Sequence, residues 1–157
     1  MTRRQRGLSL IIGVGILCLT LPALAQDKYK IRLTPVPALN SRGAGITVSA
    51  ANLGGSGSGT AALSGKKLTV NATFEKLASA ATAAHLFMGP VQGARDYSGK
   101  PISDLMVTKS GDGKSGMISG SVDLTAEQVD ALKKGRIYLQ LHSEGVPSGH
   151  LMGWILK

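Results

Sequence analysis

Residues 68–74 alternate without a break: Leu68, Val70, Ala72 and Phe74 fall on one side, Thr69, Asn71 and Thr73 on the other. A period of two fits an extended strand with one face on a core and the other in water, and it fits no helix. Such a strand is not stable alone, so the rest of the chain has to supply a sheet. Short segments rich in β-branched and apolar residues do recur at close spacing, divided by glycine and serine, the layout of a sandwich or barrel. Strands are expected over residues 29–33, 83–88, 105–109, 117–124, 137–142 and 150–156. Ser110-Gly111-Asp112-Gly113 is expected to make a tight hairpin turn. The Gly-Ser run at residues 53–59 is expected to be a flexible loop.

One helix interrupts the strands. Thr125 can cap it, Gln128 stands three positions on as in a capping box, and Val129 and Leu132 form an apolar stripe. Lys133 and Lys134 suit the negative end of the dipole, and Gly135 supplies the stop.

The start of the chain reads as an export signal. Arg3, Arg4 and Arg6 precede an apolar run over residues 8–21, Pro22 breaks it, and small residues lead to an expected cleavage between Ala25 and Gln26. The run is shorter than the roughly 20 residues a membrane-spanning helix needs. Residues 1–25 are therefore expected to be a signal peptide and 26–157 a single domain in the periplasm or outside the cell, with the periplasmic face of a membrane as the alternative place. Cleavage removes Cys18, the only cysteine, so packing alone must hold the domain together. The remaining chain carries 15 basic and nine acidic residues. Its cations are scattered and lack aromatic interleaving, which argues against nucleic acid and leaves an acidic protein partner, an anionic membrane or an acidic polysaccharide.

Leu124-Thr125-Ala126-Glu127-Gln128, followed by Leu132, Gly135, Tyr138, His142, Pro147, Gly149 and Gly153, resembles the chordin-type (CHRD) domain family, as does Ala84-His85 with Gly89-Pro90 upstream. The resemblance spans residues 29–156. It implies an all-β Greek-key β-sandwich, immunoglobulin-like or superoxide-dismutase-like, with one short helix before the last two strands. It further implies an exported protein with no assigned reaction. His85 and His142 match the family pattern, whereas Phe87, His150 and Met152 depart from it.

Hydrolytic nucleophile motifs are absent: there is no Gly-x-Ser-x-Gly elbow, and the Gly-Ser run lacks the spacing and following helix of a phosphate cradle. His85, His142 and His150 lie on or beside strands. Were they to converge, with Met88 and Met152 adding thioethers, the set would suit copper. The alternative is that the imidazoles bond backbone groups where strands meet loops. Asp96, Asp104 and Glu144 are expected to be solvated loop charges. Arg95, Tyr97 and Lys100, with Glu144 from a second loop, form the expected partner-contact surface. These readings point to a non-catalytic, cofactor-free binding or assembly module with a protein partner in the periplasm. Its concrete form is the small accessory subunit of a membrane-associated complex, such as a quinoprotein alcohol dehydrogenase. A periplasmic copper-binding protein using the three histidines is the alternative.

Overall fold

A computed structural model describes residues 26–36, 54–89 and 99–157. These form β1 (Asp27–Pro35), β2 (Ser56–Ser64), β3 (Lys67–Glu75), β4 (Ala81–Met88), β5 (Lys100–Ser110), β6 (Ser115–Asp123), α1 (Ala126–Lys133), β7 (Ile137–Ser143) and β8 (Val146–Leu156). The expected signal peptide and the loop residues Arg95, Asp96 and Tyr97 lie outside the described residues.

Every strand pairs antiparallel, in the order β1-β2-β3-β6-β5-β4-β7-β8, and β8 returns to pair with β1. The sheet therefore closes into an eight-stranded barrel, which corrects the expected open β-sandwich. Closure rests on Lys30 opposite Leu156, Ile31 opposite Ile155, Thr34 opposite Met152 and Pro35 opposite Leu151. Two connections skip strands: β3 leads to β4 past β6 and β5, and β6 leads through α1 to β7 past β5 and β4. Sandwich and barrel draw on the same strand alternation. They differ only in whether the first strand meets the last, and no local pattern encodes that contact.

The alternation of β3 holds as read, with Leu68, Val70, Ala72 and Phe74 buried and Thr73 and Glu75 exposed. β1 repeats it through Tyr29, Ile31 and Leu33, with Lys28, Lys30 and Arg32 outside. An eight-stranded barrel is just wide enough for side chains to fill it, and one cluster of buried residues does so. β7 departs from the pattern because both its faces are covered: Tyr138 and Gln140, on the outer side, are as buried as Leu139 and Leu141.

From Ser56 onward the Gly-Ser run is a strand and not a loop. Ser56 to Ser64 pairs residue for residue with β3, and Gly57 to Leu63 with β1. The run has a period of two like any other strand, with glycine on the inward positions. Gly57 faces Phe74 across one ladder and Leu33 across the other, and Gly116 of β6 faces Phe74 from its far side. A Cβ at Gly57 would stand 2.8 Å from the Leu33 side chain, and one at Gly116 2.9 Å from the Phe74 ring. Gly57 thus makes room for Leu33 and Gly116 for Phe74, the small-against-large fit of a tapering barrel.

The helix forms where expected. Gln128 N–H donates to Thr125 Oγ1 at 3.2 Å and Thr125 N–H to Gln128 Oε1 at 2.9 Å, completing the capping box. Gly135 adopts φ 66°, which ends the helix as glycine after a C-cap does. Buried Ala131 and Leu132 join the core, so α1 covers the barrel where it contacts β7 and β8.

Candidate functional site

The three histidines take two separate places. His85 on β4 pairs in register with Asp104 of β5 and with Gln140 of β7. His142 is therefore its diagonal neighbour on the outer face, two residues beyond Gln140, where long side chains and rings reach one another. Their ring centroids stand 4.9 Å apart at 66°.

His85 Nδ1 lies 2.7 Å from Asp104 Oδ1. His142 Nδ1 lies 2.8 Å from the Pro147 carbonyl oxygen. A carboxylate and a carbonyl only accept, so in the neutral rings both Nδ1 atoms carry the proton and both Nε2 atoms hold the lone pair. His142 Nε2 is buried without a hydrogen-bond partner. Burial pushes the His142 pKa below its usual value, the Pro147 carbonyl opposes this, and neighbouring His85 adds to it. The ring is neutral near pH 7.

His150 lies elsewhere. Its Nδ1 is 2.7 Å from Ser143 Oγ and its Nε2 is 2.6 Å from the Gly54 carbonyl oxygen. Nε2 must therefore donate, and Nδ1 accepts from the Ser143 hydroxyl. Ser143 in turn accepts from Ser79 Oγ at 2.9 Å, and Ser79 accepts from Gly145 N–H at 2.9 Å. The four donors run in one direction and each is used once. Ser143 and His150 are the atoms of a nucleophile–base pair, but Ser143 is fully buried and His150 almost so. The chain of bonds ties the β7–β8 turn to the segment before β4 and to the start of β2.

Convergence thus brings His85 and His142 together and leaves His150 out, with both its nitrogens occupied. Among the described residues no three or more His, Cys, Asp or Glu side chains gather as metal ligands. Met88 stands at the far end of β4 opposite Ile137, and Met152 stands opposite Gln140. Asp104 is on a strand rather than in a loop, and it orients His85. The sequence holds no signal for that pairing, because the β4–β5 register shifts between Leu86 and Phe87.

Of the expected partner-contact residues, the two described ones, Lys100 and Glu144, lie far apart. Lys100 pairs with Met88, which also faces Ile137, while Glu144 follows Ser143 at the other end of β7. Six residues of strand separate the two ends, about 20 Å. Beyond His85 an aromatic row crosses the same outer face: Phe87 stacks on Tyr138 at 5.3 Å, and Tyr138 meets Trp154 edge-on at 5.0 Å. On β5 and β6 the outer face carries Met106 and Met117, 67% and 53% exposed, the large hydrophobic side chains left to solvent among the described residues.

The arrangement defines a side-chain-filled, all-antiparallel β-barrel domain with the His85–His142 pair and the apolar patch on its outer faces and the Ser143–His150 pair buried. The CHRD domain family model matches residues 39–155, and the chain belongs to that family. β1, the strand that closes the barrel, lies ahead of the matched residues. No curated protein matches the chain.

Proposed function

We propose that this CHRD domain is an exported, non-catalytic binding module that docks on a protein partner through the outer face of β5 and β6. The observation that carries the reading is the exposure of Met106 and Met117 together. Met106 lies two residues from Thr108, and Thr108 pairs with Met117, so the two thioethers are diagonal neighbours on one face. Flexible, polarizable methionine adapts to an irregular apolar surface. The excess of basic over acidic residues adds long-range attraction for a partner with an acidic rim.

In its more specific form the module is the accessory subunit of a membrane-associated periplasmic complex, with a larger redox enzyme such as a quinoprotein alcohol dehydrogenase as the partner. The basic, apolar opening of residues 1–25 supports export. Affinity purification of the tagged full chain from detergent-solubilised membranes of the native host tests the proposal. The wild type should bring down one larger protein in fixed ratio, and the double variant Met106→Ser, Met117→Ser should lose it while keeping its circular dichroism. Recovery of the wild type as a free monomer, or a double variant that retains the partner, would overturn it.

A further inference from the structure

We propose that His85 and His142 form a two-nitrogen site for a low-coordinate soft cation, copper(I). The two imidazoles are prepared alike. Each has its Nδ1–H held by a fixed acceptor, Asp104 at 2.7 Å and the Pro147 carbonyl at 2.8 Å, and each is left with a lone pair on Nε2. An acceptor behind the ring is how proteins orient a metal-binding imidazole and raise its basicity. The ring centroids are 4.9 Å apart and the rings meet edge to face at 66°, so both lie within reach of one small ion, and one ring has to turn for both Nε2 lone pairs to meet it. His142 Nε2 is buried and has no partner, and such a group in a folded protein calls for an ion, a water or a functional role.

The ligand count selects the metal. Zinc sites use at least three protein ligands, and calcium or magnesium sites are built from oxygens, whereas a d¹⁰ copper(I) ion accepts two nitrogens. Asp104, 89% exposed at its side chain, places one negative charge behind a site that would gain one positive charge. His150 contributes nothing, since Ser143 and Gly54 occupy both its nitrogens.

The test is an anaerobic titration of the full chain with copper(I) against a chromophoric copper(I) chelator, with silver(I) as the redox-inert probe. One equivalent should be retained by the wild type, and none by His85→Ala or His142→Ala. Asp104→Asn should weaken binding by about 10- to 100-fold through the orientation of His85. Nitrogen NMR of the wild-type imidazoles keeps the test independent of whether a variant folds. Silver(I) should shift Nε2 of His85 and His142 and leave His150 unmoved. No metal retained, silver(I) retained without a shift of Nε2 in His85 and His142, or zinc(II) bound as tightly as copper(I) would each overturn the assignment. Copper binding with an unchanged partner pull-down would separate this site from the β5–β6 docking face.

Discussion

His142 shows what a single residue can report. Its ring is held neutral by burial beside His85, and the charged group in direct contact with the pair is the carboxylate of Asp104 on His85. The unfolded chain takes up a proton on this imidazole near pH 6.5, whereas the folded protein resists it to lower pH. The contribution of His142 is therefore fully present above that value and is lost as pH falls below it towards the folded pKa. Thermal melts should show a Tm that declines below pH 6.5, with a shallower decline in His142→Asn. An unchanged slope in the variant would assign the proton elsewhere. Ser143 makes a second case. Ser143→Ala leaves buried His150 Nδ1 without its donor and Ser79 without its acceptor, so urea unfolding should show a loss of about 1–3 kcal/mol.

Among the elements, α1 and β2 are opposite lessons in reading a sequence. The helix was legible to the residue because its start is a reciprocal bond between positions three apart, Thr125 and Gln128, and its stop is a glycine that takes φ 66°. Thr125→Ala should destabilise the domain by about 1 kcal/mol, measured by chemical denaturation. β2 was not legible because its composition argues for a loop and its period argues for a strand. What decides between them is packing against the neighbouring strands, where Leu33 of β1 takes the space that Gly57 leaves. Adding one methyl group at Gly57 brings it against Leu33 and the Thr73 carbonyl, so Gly57→Ala should cost about 1–3 kcal/mol by overpacking, in the same unfolding measurement. In a flexible loop that substitution would cost nothing.

At the scale of the whole molecule, closure is the property that matters. A sandwich leaves edge strands with unpaired backbone groups, and a closed barrel leaves none. Here closure depends on β1, which alone bridges β2 and β8. Deleting residues 26–36 should bare both neighbours along their length and remove Tyr29, Ile31 and Leu33 from the core. The truncated protein is expected to bind a hydrophobic dye and to elute as aggregate in size-exclusion chromatography, where the intact domain elutes as a discrete species. The exposed Lys157–Asp27 ion pair at 2.8 Å joins the start of β1 to the residue after β8, yet Lys157→Ala should leave the urea midpoint almost unchanged, because solvent screens the pair.

From sequence alone came the features that depend on neighbours along the chain: the inward face of β3, the Asp112-Gly113 turn, the capped helix and the membership hinted at by residues 124–153. These are set by backbone sterics and short-range hydrogen bonds, whose partners lie within a few positions. Only the tertiary structure decided that the first strand meets the last and that the Gly-Ser run is a strand. It also placed Asp104 behind His85 and separated His150 from His142. Those outcomes rest on contacts such as Lys30 with Leu156, Gly57 with Phe74, His85 with Asp104 and Ser143 with His150, which lie 126, 17, 19 and 7 positions apart, and which follow from strand register, acquired when the strands pair.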